Sequence, residues 1–351
     1  MRILAIDTSC DETAAAVTDG RKVLAQALYS QVTTHKQWGG VVPSLARRAH
    51  EERIDGIIAQ TIKKYNIAIG NKDLTSYNGI DYLAVTYGPG LAIALEVGMK
   101  KAQELALKHN KQIIPVNHME GHIYSCFVQN RNANPKREFS FPYLALLISG
   151  AHTEIVLVTD HITYKVLGET RDDAAGEALD KAARMLGFGY PGGPTLERLA
   201  KQIDNSDTYK FPRPMIGSKD LAFSFSGLKT SFLYFLRQMP EDEKLSHLKE
   251  LSSSFQEAVF DTLKRKLTRA IDTTGVNNII VGGGVAANKR LRYILRAMIK
   301  TKKGSIYFPV YSYLTGDNAA MIGVVASYKA EKGMICSPAD LPDRVPRLTL
   351  G

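Results

Sequence analysis

Long apolar runs, clustered cysteines and low-complexity tracts are absent from this sequence, and each absence excludes a class of protein. No run approaches the length of a membrane span, and the first residues, Met1–Asp7, are typical of a buried strand rather than of a signal peptide. The three cysteines, Cys10, Cys126 and Cys336, lie far apart and form no CxxC pair. A disulfide framework and a thiolate zinc site are therefore not indicated, and we expect a cytoplasmic protein with no membrane partner.

Two common nucleotide-binding motifs are also missing. No GxxxxGK[ST] sequence occurs, and the run Ile279–Asn288 is not a GxGxxG motif with an acidic residue at Rossmann spacing. A dinucleotide-binding fold is thus disfavoured. The run nevertheless predicts a buried strand that leads into three glycines and then a helix, an arrangement in which the backbone can approach a nucleotide at the helix N-terminus.

The composition is that of an ordinary globular protein with a basic balance. The 351 residues, 44% hydrophobic and 23% charged, are enough for about two domains. The formal net charge of +10 permits a polyanionic partner. Seven basic residues follow one another without an acidic residue between them: Lys289, Arg290, Arg292, Arg296, Lys300, Lys302 and Lys303. This basic run predicts either a solvated helix face or a nucleic-acid contact surface.

Apolar, β-rich runs alternate with helical patterns along the chain, which is typical of an α/β fold. The first half predicts strands at Ile3–Ile6, Ala14–Val17, Val23–Tyr29, Tyr82–Thr86 and Ile113–Val116 and helices at Leu45–Lys64 and Ala92–Asn110. After the polar segment Gln129–Ser140 the pattern restarts, with strands at Tyr143–Ile148, Glu154–Val158 and Tyr164–Leu167. The strand–turn–strand–strand pattern of residues 3–29 thus recurs at residues 143–167. This repetition predicts two related lobes with a cleft between them.

We predict lobe boundaries from this repetition. The first lobe comprises residues 1–130 and is completed by a C-terminal helix near 317–330. Residues 131–316 form the second lobe, and 331–351 form a C-terminal tail.

The segment His118–His122 places two imidazoles four residues apart, so both can reach one metal ion from the same face of a helix. Asp317 offers a carboxylate at the start of another predicted helix. Two His and one carboxylate make an open metal site, although an HxxxH pair also occurs on helices that bind nothing. A zinc protease is excluded by spacing, because its helix needs Glu directly after the first His, whereas Met119 stands there.

Two turns that follow predicted strands carry groups suited to a ligand. The hydroxyls and backbone N–H groups of Asp7–Thr13 can cradle a phosphate or coordinate a metal through water. Within the turn Asp7–Thr13, Asp11 or Glu12 can act as the general base towards a substrate amine. The alternative is that this segment is only an acidic surface turn. In the second turn, Ser149–Thr153, Gly150 lets the backbone come close to a ligand.

Asp180 and Gly193 are candidates for contacting a nucleoside. Asp180 shares a helical face with Glu177 and can accept hydrogen bonds from a ribose, or it can pair with Lys181 or Arg184. Gly193 lies in the rigid turn Tyr190–Pro194, where it can flank a nucleoside.

Together these motifs resemble the tRNA N6-adenosine threonylcarbamoyltransferase family (TsaD in bacteria, once labelled an O-sialoglycoprotein endopeptidase). The resemblance runs from Met1 to about Ala326. It rests on Asp7–Thr13, Gly39–Pro43, Gly88–Leu91, His118–His122, Asp172–Lys181, Tyr190–Pro194, Phe223–Lys229, Gly283–Asn288 and Asp317-Asn318. Two positions depart from the family pattern: Ala151 replaces the second Gly of a Ser-Gly-Gly-His-Thr turn, and Ala92–Glu96 replaces a stretch of small residues. Ala151 fits this turn only with a negative φ.

The resemblance implies a two-lobed actin-like ATPase (ASKHA) fold. It also implies transfer of a threonylcarbamoyl group from threonylcarbamoyl-AMP to N6 of the adenosine 3′ of the anticodon, in tRNAs that read codons beginning with A. On this resemblance the metal, iron(II) in preference to zinc, would be bound by His118, His122 and Asp317. The adenylate site, which can also take ATP or another adenine nucleotide, would be lined by Leu147, Ile148, Ser149, Gly150, Ala151, Asp180, Gly193, Glu197 and Asn288.

The resemblance further implies a TsaB-like paralogue and a TsaE-like ATPase as partners, with the adenylate supplied by a TsaC-family synthase. Two other functions stay open. A small-molecule kinase of the same fold would need an acidic base and a magnesium site, and it leaves the His pair without a task. A non-catalytic nucleotide-binding scaffold is the third.

Overall fold

The computed structural model describes residues 1–351 and contains two five-stranded mixed sheets. The strands of the first sheet are β1 (Arg2–Asp7), β2 (Glu12–Asp19), β3 (Lys22–Ser30), β4 (Tyr82–Gly88) and β5 (Gln112–Asn117). Those of the second are β6 (Tyr143–Ile148), β7 (Thr153–Asp160), β8 (Thr163–Glu169), β9 (Asn278–Gly282) and β10 (Ser305–Tyr307). The strands predicted from sequence are confirmed, with ends that move by a few residues.

Eleven α-helices connect and cover the strands. The helices that follow strands of the first sheet are α1 (Val32–Lys36), α2 (Pro43–Ile69), α3 (Ala92–His109) and α4 (His118–Tyr124). The remaining helices are α5 (Ala175–Met185), α6 (Gly193–Lys201), α7 (Ser226–Gln238), α8 (Glu241–Ser246), α9 (Leu248–Thr274), α10 (Lys289–Thr301) and α11 (Ala319–Glu331). None of them is both long enough and apolar enough to cross a membrane.

The two sheets have the same topology. The order β3-β2-β1-β4-β5 is repeated as β8-β7-β6-β9-β10, with an antiparallel meander followed by two parallel strands in each case. The repeated unit predicted from sequence is therefore confirmed at the level of strand order. It shows a duplicated α/β architecture.

Helices α4 and α11 lie between the two sheets. Successive side chains of the buried strands point to opposite faces, and one of these faces packs against the two helices. Leu4 and Ile6 of β1 pack in a core with α2 and α3, whereas Ile3 and Ala5 face the opposite way. In β6 Leu147 belongs to the same central core as Ile3, which also contains the apolar side chains of α4 and α11. Helices α5, α7, α9 and α10 cover the outer face of the second sheet.

The C-terminal part of the chain returns to the first sheet. Helix α11 packs against β1, β2, β5 and α4. After it, Cys336 pairs with Ile113 at the edge of β5, and the amide of Val345 donates to the carbonyl of Tyr87 at 2.8 Å. Residues 331–351 are thus bound along the first sheet up to the start of α4.

Candidate active site

Helix α4 begins with a capping box that orients the two histidines. The side chain of Asn117 accepts a hydrogen bond from the amide of Met119 at 2.8 Å, and Glu120 accepts one from the amide of Asn117 at 3.1 Å. His118 and His122 then lie one turn apart, with their ring centroids 4.7 Å from each other. Both are buried.

Asp317 meets this pair from the start of α11. Its Oδ1 lies 3.2 Å from Nε2 of His118 and 3.5 Å from Nε2 of His122. The three ligand atoms lie within 4.8 Å of one another. Asp317 is 21% exposed, against 8% and 1% for the two His side chains, so the cluster opens to solvent on the side of the carboxylate.

Burial and mutual charge determine the ionisation of the cluster. Burial opposes ionisation of Asp317, but the adjacent imidazoles hold the pKa of its carboxyl well below the usual range. Burial likewise disfavours protonated His118, yet the carboxylates of Asp317 and Asp7 raise its pKa well above the ordinary value. For His122 burial prevails, and its pKa is lowered. These directions favour the ionised carboxylate of Asp317 and the neutral imidazole of His122, and His118 would release its proton on binding a metal.

The donor set fits a divalent transition metal. Two imidazole Nε2 atoms and one carboxylate oxygen converge, which is the ligand type and number of open iron and zinc sites. On its other nitrogen His118 contacts the Ser9 hydroxyl at 3.0 Å, the kind of second contact that orients a metal ligand. Sequence reasoning named the turn that contains Ser9 but not this residue as a partner of His118, because the contact joins positions 109 residues apart.

The β6–β7 turn lies beside the His pair. Burial, followed by the charges of His118 and His122, lowers the pKa of His152 to about 4. Within the turn the Ser149 hydroxyl accepts from the amides of Ala151 and His152 at 3.3 and 3.0 Å. Ala151 is not among the residues with positive φ, so the departure from Gly is accommodated.

Leu147 and Ile148 are placed differently from what the resemblance implies. Both are interior residues of β6 with no exposed side-chain surface, and each side chain is part of a hydrophobic core. They can support an adenylate site only through the backbone at the end of the strand. Ser149, Gly150 and Ala151 are the members of this group that are partly or well exposed.

Asp180 and Gly193 are in direct contact. Oδ1 of Asp180 accepts from the amides of Gly192 at 2.7 Å and Gly193 at 3.0 Å, so it orients the turn before α6. Lys181 instead pairs with Asp173 and Glu177, each at 2.8 Å, and does not bind Asp180. The pairing of Asp180 with Lys181, which the sequence left open, is thus absent.

Glu197 and Asn288 meet at the N-terminus of α10. Glu197 accepts from the amide of Lys289 at 2.7 Å, and Asn288 caps the helix by accepting from the amide of Leu291 at 3.0 Å. The side-chain amide of Asn288 donates from Nδ2 to Oε1 of Gln256 at 3.0 Å. Both residues therefore have protein partners in addition to any nucleoside contact.

The three-glycine run serves protein packing at its first two positions. A side chain at Gly282 would overlap the carbonyl of His122, and one at Gly283 would overlap the carbonyl of Ile148. Gly283 also has a φ of +92°. Only Gly284 faces open space, and a 3₁₀ turn, Gly284–Ala287, separates the glycines from α10. The absence of side chains at Gly282 and Gly283 is therefore required by contacts within the protein, and Gly284 is the position of the run that is open to a ligand.

Asp11 and Glu12 stand where β2 begins, on the same side as Asp317. Asp11 is buried, and Glu12 accepts from the Ser30 hydroxyl at 3.3 Å. Burial, and then the negative charges of Asp317 and Asp11, raise the pKa of Glu12 well above its ordinary value. Such a carboxylate takes up a proton more readily near neutral pH.

Two residues of the basic run form ion pairs with acidic side chains of α9. Arg290 forms a two-pronged ion pair with Glu257 at 2.7 and 2.9 Å, and Lys302 pairs with Asp272 at 2.5 Å. Arg292 and Arg296 lie over the ring of Phe308. No acidic residue interrupts the run in the sequence, but acidic side chains of α9 lie close to it in the fold. The run is therefore less suited to binding nucleic acid.

The duplicated sheets define a class of protein. The fold matches the chain described as the crystal structure of T.kodakarensis HypF, with a TM-score of 0.60 at 14% identity, over 95% of this chain and 48% of that one. A second HypF structure, the full-length phosphate- and nucleotide-bound form, matches with a TM-score of 0.60 at 13% identity, over 95% of this chain and 46% of that one. This chain spans about half of those proteins. The duplicated α/β fold predicted from sequence is therefore confirmed.

Sequence comparison identifies the family within this class. The family model described as TsaD, tRNA N6-adenosine threonylcarbamoyltransferase, matches residues 22–324. A protein of that name from Kosmotoga olearia is 44% identical over 350 residues, which cover 100% of this chain and 99% of that protein. One from Endomicrobium trichonymphae is 45% identical over 336 residues, 95% and 93% of the two chains. The chain belongs to the tRNA N6-adenosine threonylcarbamoyltransferase family, and it is a transferase.

Proposed function

We propose that this protein transfers a threonylcarbamoyl group from threonylcarbamoyl-AMP to N6 of the adenosine 3′ of the anticodon, in tRNAs that read codons beginning with A. Family membership supports the reaction, and one observation supports the location of the site. That observation is the convergence of His118, His122 and Asp317 beside the β6–β7 turn. The kinase and scaffold alternatives leave this cluster without a task.

In the proposed site the three residues hold one divalent ion, iron(II) in preference to zinc. Such an ion would act as a Lewis acid that polarises the carbonyl or binds the threonyl part of the substrate. The chain itself supplies the orientation of the adenylate. The β6–β7 turn offers backbone N–H groups, while Asp180 and Gly193 lie at the N-terminal end of α6, where the ribose would be held. ATP or another adenine nucleotide would occupy the same position.

The transfer forms one bond and breaks one. The N6 nitrogen of adenosine bonds to the carbamoyl carbon, and the bond from that carbon to the phosphate oxygen breaks, which releases AMP. The proton leaves N6 for a carboxylate, and we propose Glu12 or Asp11 as its acceptor. The raised pKa of Glu12 supports this residue as a proton acceptor.

The proposal includes partners and location. A TsaB-like paralogue and a TsaE-like ATPase would assemble with this chain, and a TsaC-family synthase would supply the adenylate. The tRNA substrate accords with a cytoplasmic enzyme. Each of these partners is tested by adding it to, or omitting it from, the reconstituted reaction.

The test is transfer to unmodified tRNA, measured by mass spectrometry of the nucleosides. The His118→Ala/His122→Ala variant should lose transfer and metal but retain adenine-nucleotide binding, while His247→Ala, on a partly exposed histidine outside the cluster, should leave all three unchanged. Elemental analysis of the wild-type protein should find one equivalent of iron or zinc. Full activity in the double variant would refute the metal site. No transfer by the wild-type protein with all partners present would refute the function.

A further inference from the structure

The loop between α1 and α2 reaches from the first lobe to the second and carries the only tryptophan of the chain. The side chain of Trp38 is 60% exposed, although tryptophan is usually largely buried. The guanidinium of Arg184, in α5 of the second lobe, donates to the carbonyl of Gly39 in this loop. The side chain of Lys36 lies against Gly189, also of the second lobe. The loop therefore bridges the two lobes.

A buried polar network holds this loop in place. His35 contacts Oε1 of Gln31 at 3.1 Å with one ring nitrogen and accepts from the amide of Val42 at 3.3 Å with the other. His50 contacts the carbonyl of Cys10 at 3.0 Å. Both rings are completely buried. The loop is thus anchored at both of its ends, so Trp38 projects from a preorganised base and loses little conformational entropy on binding a partner.

The same loop adjoins the groups proposed to act in transfer. The amide of Gln31, just before α1, donates to the carbonyl of Asp11 at 2.9 Å. On the other side Tyr190, next to Gly189, is close enough to Asp11 and Asp180 for their charges, after burial, to raise the pKa of its phenol. Trp38 therefore lies at the edge of the cleft that contains the candidate base and the candidate nucleoside contacts.

The chemistry around Trp38 is suited to unpaired RNA. Lys36 and Arg184 are both exposed, and neither forms an ion pair within the chain. An exposed aromatic ring between free cations provides a stacking surface for a base and contacts for the adjacent phosphates. In the basic run, in contrast, Arg290 and Lys302 are already ion-paired with acidic side chains of α9. Duplex RNA offers no free base face to such a ring.

We propose that Trp38, with Lys36 and Arg184, is a platform on which an unpaired base of the tRNA anticodon loop stacks while the neighbouring target adenosine enters the cleft. This inference rests on the proposed function for the identity of the RNA. The platform selects single-stranded structure rather than base sequence, because stacking tolerates every base. It contributes to tRNA affinity and not to the chemical step.

Intrinsic fluorescence tests the platform directly, because all tryptophan emission comes from this position. Titration of the wild-type protein with an anticodon stem-loop RNA should quench the emission in a saturable manner. A fully paired RNA duplex of equal length and charge is the matched control, and it should leave the emission unchanged. Equal responses to the two RNAs would overturn the proposal, as would a response only to a protein partner.

Variants separate stacking from folding and from catalysis. Trp38→Ala should raise the Kd for the stem-loop, and the KM for tRNA, by about 5- to 150-fold with kcat retained. Trp38→Phe should recover much of the loss, and Lys36→Gln should lower the salt dependence of log Kd by about one unit of slope. Tyr234→Ala, on a side chain that is 58% exposed in α7, is the matched control and should bind as wild type.

The two proposals fail in different ways. If the wild-type protein modifies tRNA but Trp38→Ala has an unchanged KM and Kd, the platform is refuted and the function stands. If the wild-type protein shows loop-dependent quenching without any transfer, the function is refuted and the platform stands. Thermal unfolding of each variant, compared with wild type, identifies any loss that is due to misfolding.

Discussion

Gly282 is a single residue that determines how closely α4 approaches the second sheet. A Cβ there would overlap the carbonyl of His122, and both groups belong to the backbone, so neither can move by a rotamer change. The absence of a side chain at this point therefore brings the His pair next to the β6–β7 turn.

We expect Gly282→Ala to destabilise the protein by about 1–3 kcal/mol, because the added methyl group overpacks the junction. It should also weaken metal retention, since the displaced carbonyl is that of His122. Gly284→Ala is the control, because a side chain there meets open space. Urea unfolding and elemental analysis of both variants provide the measurements, and equal stabilities would contradict the expectation.

Glu154 is a buried acid whose Oε2 has no hydrogen-bond partner. Burial, and then the charge of Glu169, raise its pKa from 4.5 to about 7. Because the folded state holds the proton more tightly, this contribution to stability is complete below pH 4.5 and is lost as the pH rises through about 7.

Replacing Glu154 with Gln should therefore stabilise the protein above pH 7 by up to about 3 kcal/mol, the equivalent of that shift, and have little effect at low pH. Glu243→Gln, on an exposed acid, should show no such pH dependence. Denaturant unfolding at several pH values would reveal the difference. A constant difference between wild type and Glu154→Gln at every pH would contradict the assignment.

Candidate residues could be predicted from sequence where the chemistry is contained in local spacing. The HxxxH spacing of His118 and His122 is such a case, because a helical turn brings the two rings together whatever the rest of the fold. The contact of His118 with Ser9 and the position of His152 could not be predicted, because they depend on strands that meet only in the folded sheet. The role of Trp38 likewise requires the second lobe.

Between elements, one buried ion pair joins the two helices that carry the metal candidates. Lys329 of α11 contacts Glu120 of α4 at 2.8 Å, and each side chain is 6% exposed. Lys329 also donates to the carbonyl of Pro115 at 3.1 Å. Since Asp317 precedes α11 and the histidines lie on α4, this pair fixes the alignment of the three candidate ligands.

Lys329→Met should cost about 3–5 kcal/mol of stability, because it leaves the carboxylate of Glu120 buried without an opposite charge. The double variant Glu120→Gln/Lys329→Met should recover part of that loss, since no unpaired charge remains. A double-mutant cycle by chemical denaturation measures the coupling. Additive losses would mean that the pair does not act as a unit.

Strands were more predictable than the ends and surroundings of helices. In β1 and β6 successive side chains pack in two different cores, so both strands are continuous apolar runs that are visible in the sequence. Helix α2 extends to Ile69, beyond the predicted Lys64, because its last turns are capped by Gly70 in the left-handed conformation. The ion pair between Arg290 and Glu257 could not be predicted, because the two residues lie 33 positions apart on different helices.

At the scale of the whole molecule, the C-terminal segment connects distant parts of the chain. The side-chain amide of Asn117, which caps α4, donates to the carbonyl of Thr349 at 3.0 Å. The amide of Gly90 donates to the carbonyl of Pro346 at 3.2 Å. Leu350 is buried in the central core between the sheets.

Deletion of residues 344–351 should lower the Tm and weaken metal retention, because the cap of α4 loses a partner. Leu350→Ala should reproduce part of this effect, about 2 kcal/mol, by removing a buried side chain. Arg347→Ala, on an exposed side chain, is the control. Calorimetry and elemental analysis test the three variants, and a deletion variant with unchanged Tm would contradict the expected role.

The position of α11 between the sheets has a consequence for synthesis on the ribosome. The first sheet is complete at Asn117, but the helix that covers its inner face ends only at Glu331. At 5–20 residues per second, roughly 10–40 s pass before that helix emerges. During this interval the nascent chain presents an uncovered apolar sheet, which makes it a client for chaperones that bind growing chains.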